Sequence, residues 1–123
     1  MQIIIRRIPQ EEQRYETLGD WFVDPDGTIQ IKSTDDDEDV AFLIALHELC
    51  EYWLCKHHGV TVEAVDKFDF EWTKNHPEYP CVEGCVEPGE SPLAPYHEEH
   101  RHAMLIEHLM ANFLGMTDYG VIR

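Results

Sequence analysis

Residues 40–58 constrain the fold more than any other segment, because a helical apolar pattern there includes ionisable residues on its core-facing side. At about 100° per residue, four apolar residues form one arc: Val40, Leu43, Ile44 and Leu54. His47 and Glu51 fall in the middle of that arc. A buried carboxylate without a partner is strongly unfavourable, so Glu51 requires a cation, a metal ion or a dense hydrogen-bond network.

Strand patterns precede this helix. Short β-prone runs occupy residues 3–5, 18–24 and 28–32, and a Pro-Asp-Gly turn separates the last two. A sheet of about three strands is too small to be stable alone, so it needs a helix on one face. We therefore expect an α+β fold in which a small N-terminal antiparallel sheet, residues 2–33, packs against the 40–58 helix.

Two further helices complete the expected fold. An acidic run at 35–39 favours the start of the first helix through capping and the helix dipole, and Gly59 ends it. The later helices are expected at 62–75 and at about 96–114, separated by a Pro-rich loop at 76–95. That loop contains Cys81 and Cys85, which we expect to be free thiols. The 123 residues fit a single domain that is β-rich over 1–34 and helical over 35–123.

Charge and hydropathy narrow the classes of partner. Nine Lys and Arg against 25 Asp and Glu give a net charge of −16, and no stretch carries a basic cluster. Nucleic-acid binding needs cationic groups against the phosphates, so we expect no nucleic-acid partner. The chain has no apolar run long enough to span a membrane and no signal-peptide pattern, which predicts a cytoplasmic protein without a membrane partner.

His47, Glu48 and Glu51 form an H-E-x-x-E motif on the central helix. Its first and fifth residues project from the same side one turn apart, as the two metal ligands of the zinc-peptidase motif H-E-x-x-H do. In that motif the Glu beside the first ligand is the general base, which makes Glu48 the candidate catalytic residue. Zinc also accepts a carboxylate, so Glu51 is a candidate ligand.

The last helix repeats the irregularity of the first. His100 and Glu107 lie two turns apart on its core-facing side, so antiparallel packing of the two helices would bring four ligand-type side chains together. We expect one divalent ion bound by His47, Glu51 and His100, with Glu107 as a fourth ligand or as a residue that orients a ligand. The alternative is a structural His–Glu hydrogen-bond network without metal.

The strand-rich start, the ALHELCEYWLC helix and a later ligand-bearing helix together resemble the minimal core of a zincin-type metallopeptidase. The resemblance implies His47 as first ligand, Glu48 as general base, and Glu51 in the place of the usual second His. It also implies a third ligand from a later helix, a place that His100 or Glu107 fits. The expected ion is Zn²⁺, although a carboxylate ligand also suits Mn²⁺ or Fe²⁺.

A second resemblance covers most of the chain, from EEQRYETLGDWFVDPDGTIQI through HELCE to SPLAPYHEEH, and is to small phage and prophage proteins without an assigned activity. If the protein is phage-encoded, its compartment is the host cytoplasm.

Three functions follow from these patterns. The first is a metal-dependent hydrolase, with zinc as the expected metal, acting on a peptide, a protein or a small-molecule amide. The second is a magnesium-dependent nucleotide pyrophosphohydrolase that uses Glu48, Glu51 and Glu107. Because Mg²⁺ prefers oxygen ligands, this alternative gives no role to His47 and His100. The third is a non-enzymatic acidic phage protein that binds a host factor and holds a structural metal.

Overall fold

A computed structural model describes residues 1–77 and 87–119. Within these residues the chain forms β1 (Ile3–Arg7), β2 (Gly19–Val23), β3 (Ile29–Ser33), α1 (Glu38–His58), α2 (Val62–Asn75) and α3 (His97–Phe113). Single 3-10 turns lie at Gln10–Glu12 and Pro88–Glu90. The α+β fold class is confirmed. Cys81 and Cys85 lie outside the described residues.

The sheet has the order β1-β3-β2 and is mixed, which corrects the expectation of a wholly antiparallel sheet. β2 and β3 are antiparallel and are joined by a tight turn in which Gly27 has φ 88°. β1 pairs with β3 in parallel. Because residues 8–18 are long enough to cross the end of the sheet, β2 occupies the far edge and the hairpin then folds β3 into the centre.

Local signals in the sequence set the bounds of α1. Asp37 caps its N-terminus by accepting a hydrogen bond from the Val40 backbone N–H at 3.0 Å. Gly59 ends the helix in the left-handed conformation, with φ 75°. α1 therefore begins two residues before the predicted Val40 and ends at the predicted His58. One side of α1 packs on the sheet and contributes to a core of nine buried residues: Trp21, Ile29, Ile31, Ala45, Tyr52, Cys55, Val65, Ala94 and Tyr96.

α3 packs against α1 with an unusual distribution of side chains. Its buried residues are Glu99, His100, Ala103, Glu107 and Ala111. Its large apolar residues Leu105, Leu109 and Phe113 are exposed by 69%, 58% and 80%. Ile106 is also exposed. The face of α3 that contacts α1 therefore carries alanine and ionisable side chains rather than large aliphatic ones.

No helix within the described ranges is long and apolar enough to cross a bilayer.

Candidate metal centre

The predicted site residues meet between α1 and α3. The two helices run antiparallel, since three pairs connect them in reverse order: His47 with Glu107, Glu51 with His100, and His58 with Glu99. The side chains of His47, Glu51, His100 and Glu107 are all buried, at 1%, 4%, 4% and 1% residue exposure. The predictions that these residues are buried and lie in mutual contact are confirmed.

Three potential ligand atoms form a tight triangle. Nε2 of His47 lies 3.1 Å from Oε2 of Glu51 and 3.1 Å from Nδ1 of His100. The third side, from Nδ1 of His100 to Oε2 of Glu51, is 2.8 Å. Ligand atoms of a tetrahedral zinc ion lie about 3.4 Å apart, given bonds of about 2.1 Å. The triangle would therefore need to widen by only a few tenths of an ångström to hold such an ion.

Each histidine of the triangle faces a carboxylate with its other ring nitrogen. Nδ1 of His47 donates to Oε1 of Glu107 at 2.7 Å, and Oε2 of Glu107 accepts from the Tyr119 hydroxyl. Nε2 of His100 lies 3.4 Å from Oε2 of Glu87. A carboxylate at the remote nitrogen fixes the tautomer whose lone pair points towards a metal. Glu107 thus lies on the far side of His47, in the position of an orienting residue rather than of a fourth ligand.

The second oxygen of Glu51 is held by the sheet. Nε1 of Trp21 on β2 donates to Oε1 of Glu51 at 3.0 Å, which leaves Oε2 directed at the two histidines. Sequence reasoning did not assign Trp21 to the site, because the β2 sequence GDWFV has three consecutive apolar residues and does not show which of them faces α1. The site therefore includes a contact from the sheet as well as from both helices.

The electrostatics of the triangle favour positive charge. Burial lowers the pKa of each histidine, but hydrogen bonds to Glu107 and Glu51 outweigh it and hold the pKa of His47 well above its usual value. Burial also lowers the pKa of His100, but hydrogen bonds to Glu51 and Glu87 outweigh this effect and raise the pKa to about 9. Burial raises the pKa of Glu51, yet hydrogen bonds from His100 and His47 lower it to about 2. One additional proton on each histidine ring supplies the same total charge as one divalent ion. The triangle can therefore hold either the two protons or the ion.

Glu48 lies beside the triangle and outside it. Its Oε2 is 3.7 Å from Nε2 of His47. Gly19 allows this close packing, because a Cβ at that position would lie 2.9 Å from Cγ of Glu48. Glu48, Glu51 and His100 line a cleft with about 20 Å³ of free space, enough for one water-sized ligand. This arrangement fits the predicted separation between the ligands and a nearby base.

Asp69 of α2, which sequence reasoning missed, also lines the cleft. Tyr15 donates to Oδ2 of Asp69 at 2.9 Å, and Tyr96 donates to Oδ1. Burial, only partly offset by these hydrogen bonds, raises the pKa of Asp69 to about 7. The sequence signal was weak, since Asp69 lies between Phe68 and Phe70 in an alternating aromatic segment that predicts only core packing.

The turn at Pro88–Glu90 packs directly on His100. A Cβ on Gly89 would lie 2.4 Å from Cγ and Nδ1 of the His100 ring, so only glycine permits this approach. His97 donates from Nδ1 to the Gly89 carbonyl at 2.9 Å and holds the turn against α3. His97 and His108 of α3 are both partly buried.

No protein-family model matches the chain, and no curated protein or solved structure matches it significantly. Function is therefore inferred from the geometry of the site alone.

Proposed function

We propose that the protein is a metal-dependent hydrolase whose ion is bound by His47, Glu51 and His100. The observation that carries this proposal is the convergence of Nε2 of His47, Nδ1 of His100 and Oε2 of Glu51 within 3.1 Å of one another. The alternative is a metal-free network in which the two rings, with centroids 4.6 Å apart, are hydrogen-bonded to the carboxylates. A divalent ion satisfies all three lone pairs at once.

The donor set indicates which ions fit. Two histidines and one carboxylate are typical of catalytic zinc sites, which bind the ion through three protein ligands and keep a further position open. The same set suits Mn²⁺ or Fe²⁺. Mg²⁺ prefers oxygen ligands, so two ring nitrogens in the triangle argue against the magnesium-dependent pyrophosphohydrolase.

Glu48 is the general base in this proposal. A divalent ion in the triangle supplies Lewis acidity, which polarises a carbonyl group and acidifies water. Glu48 lines the same cleft and has a side chain 11% exposed, so its carboxylate can take a proton from water there and return it to the leaving amine. Trp21 and Glu107 keep Glu51 and His47 oriented during this exchange. The reaction class that fits is hydrolysis of a peptide or other amide bond.

Metal binding is the first test. The purified protein is freed of metal by chelation, then titrated separately with Zn²⁺, Mn²⁺, Fe²⁺ and Mg²⁺ in a calorimeter. We expect one zinc ion per chain, and loss of binding in His47→Ala and His100→Ala. His57→Ala and His102→Ala are the matched controls, since both residues are exposed on α1 and α3 and should leave zinc affinity unchanged. Failure of the wild type to bind any divalent ion would refute the proposal.

Hydrolysis is the second test. The zinc-loaded protein is screened against peptide and amide libraries, and Glu48→Gln is compared with the wild type on any substrate found. We expect the variant to lose activity and to keep one zinc ion per chain. Full activity in zinc-loaded Glu48→Gln would show that Glu48 is not the general base.

A further inference from the structure

The side of α3 that points away from α1 carries large apolar side chains. Leu105, Leu109 and Phe113 are exposed by 69%, 58% and 80%, and Ile106 is exposed by 41%. At about 100° per residue, these four positions fall within an arc of about 100°, with Leu109 near its middle. Buried Glu107, which contacts α1, lies on the other side of the helix. The four apolar side chains therefore form one stripe, the outer face of α3.

We propose that the outer face of α3 is the interface of a homodimer, in which α3 packs against α3 of a second copy in an antiparallel pair. The four side chains expose roughly 500 Å² of apolar surface, whereas a standard interface takes about 800 Å² from each partner. Soluble monomers rarely expose a larger contiguous apolar patch, and such patches mark interaction surfaces. One helix thus supplies most of the area that a stable dimer needs.

The distribution of charge supports a second copy as the occupant. The net charge of the chain is −16, so two copies repel each other wherever carboxylates are exposed. Glu107 is the only carboxylate in residues 100–117, all of which the structure describes, and its side chain is buried. The nearest exposed carboxylates, Glu98 and Asp118, lie beyond the two ends of this stretch. At the outer face, two strongly acidic chains can therefore meet with their carboxylates kept apart.

The polar residues at one end of the outer face favour the antiparallel arrangement. Arg101 and His102 are exposed about one turn before Leu105. In a parallel pair the two Arg101 side chains would face each other, and the two helix dipoles would repel. In an antiparallel pair centred between Leu105 and Leu109, Leu105 of one copy lies against Leu109 of the second copy. Arg101 then lies near Phe113 of the second copy, where a guanidinium over the ring is favourable, and the two-fold symmetry repeats this contact.

The oligomeric state of the purified full-length protein tests the inference. Sedimentation equilibrium is measured from about 1 µM to about 100 µM with a chelator present, so that metal ions cannot link chains. We expect a dimer that dissociates in the micromolar range. Leu109→Glu places two carboxylates at the centre of the interface and should weaken the dimer at least about 100-fold. Leu93→Glu is the matched control, since Leu93 is 84% exposed outside α3 and the same change there should leave the dimer intact.

Two results would overturn the dimer at this face. The first is a wild type that remains monomeric at the highest concentration. If such a monomer also floats with phosphatidylcholine vesicles and Leu109→Glu does not, the outer face takes a lipid surface instead of a second copy. The second is a dimer that persists in Leu109→Glu, which would place the interface elsewhere. Circular dichroism checks that this variant keeps its fold, as expected for a change at an exposed position.

A charge reversal tests the antiparallel arrangement. Arg101→Glu removes the contact with the Phe113 ring of the second copy and should weaken the dimer about tenfold. Arg6→Glu, at an exposed position of β1, changes the net charge by the same amount and should have a smaller effect. Equal weakening by both variants would show that only the net charge matters and would overturn this arrangement. Zinc affinity should be the same in Leu109→Glu and the wild type, because the outer face contributes no atom to the triangle.

Discussion

Nδ1 of His47 and Oε1 of Glu107 lie 2.7 Å apart in the interface between two antiparallel helices, and each residue is only 1% exposed. Tyr119 donates to the other oxygen of the same carboxylate. This chain of contacts directs the lone pair of Nε2 towards Glu51 and His100, on the opposite side of the ring. Glu107 therefore acts on the site through His47 rather than by touching an ion.

Replacing Glu107 by Gln should weaken metal binding without abolishing it. The amide can still accept a hydrogen bond from His47, but it no longer supplies the charge that makes Nε2 more basic. We expect zinc affinity to fall about 10- to 100-fold, as is usual for the outer partners of metal-bound histidines. A competition titration with a coloured chelator measures this. Glu98→Gln, exposed on the same helix, should have no effect, and complete loss of zinc in Glu107→Gln would identify Glu107 as a ligand instead.

Zinc binding should release protons. The pKa of His47 is held well above its usual value and that of His100 is raised to about 9, so both rings bear a proton near neutral pH when no metal is bound. A metal must displace these protons, so affinity rises with pH up to about 9 and about two protons leave per ion. Calorimetric titrations in buffers with different ionisation enthalpies count them. Affinity that does not change between pH 6 and 8 would contradict this.

Asp69 should destabilise the fold as the pH rises. Its pKa is about 7 in the folded protein and about 3.9 in an unfolded chain, so the folded state binds more protons between these values. The free energy of unfolding therefore falls across this window, by at most roughly 4 kcal/mol from this group. The variant Asp69→Asn lacks the ionisable group, so it should lose this contribution to the pH dependence of stability.

Urea unfolding of the metal-free protein at several pH values tests this prediction for Asp69. The stability of Asp69→Asn relative to the wild type should increase from pH 4 to pH 8. Glu63→Gln serves as the charge control, because this side chain is exposed on the same helix. A constant difference between Asp69→Asn and the wild type across the range would show that Asp69 ionises normally.

Two glycine substitutions should separate metal binding from catalysis. In Gly89→Ala the new methyl would lie 2.4 Å from the His100 ring, so His100 must shift and zinc affinity should fall, with about 1–3 kcal/mol lost from overpacking. In Gly19→Ala the new methyl would instead lie 2.7 Å from Cγ2 of Ile44 and 2.9 Å from Cγ of Glu48, so Glu48 must shift and activity should fall with zinc retained. Titration and thermal unfolding measure both. The same zinc affinity in both variants would contradict the separation.

The sequence predicted the site better than its surroundings. The helical pattern identified His47, Glu51, His100 and Glu107 because each lies on a face that also bears buried residues, and local caps fixed α1 and α2 almost to the residue. Asp69 and Glu87, which line the cleft, and Trp21, which donates to Glu51, were missed, because only the tertiary packing brings these residues to the site.

The expectation of a wholly antiparallel sheet was wrong for a physical reason. The parallel pairing of β1 with β3 depends on how residues 8–18 cross the sheet, which strand propensity does not encode. The helical pattern made no prediction for Leu105, Leu109 and Phe113, which are exposed on the outer face of α3. The opposite side of α3 carries His100 and Glu107, which contact α1.

The ionisable layer between α1 and α3 has a consequence for protein engineering. Replacing a buried ionic cluster by apolar residues of similar volume often leaves a protein equally or more stable. A laboratory selection for heat resistance alone would therefore favour aliphatic residues at positions 47, 51, 100 and 107, and would remove the side chains of the proposed metal site. Any programme that improves the expression or shelf life of this protein needs to screen for ion retention in parallel.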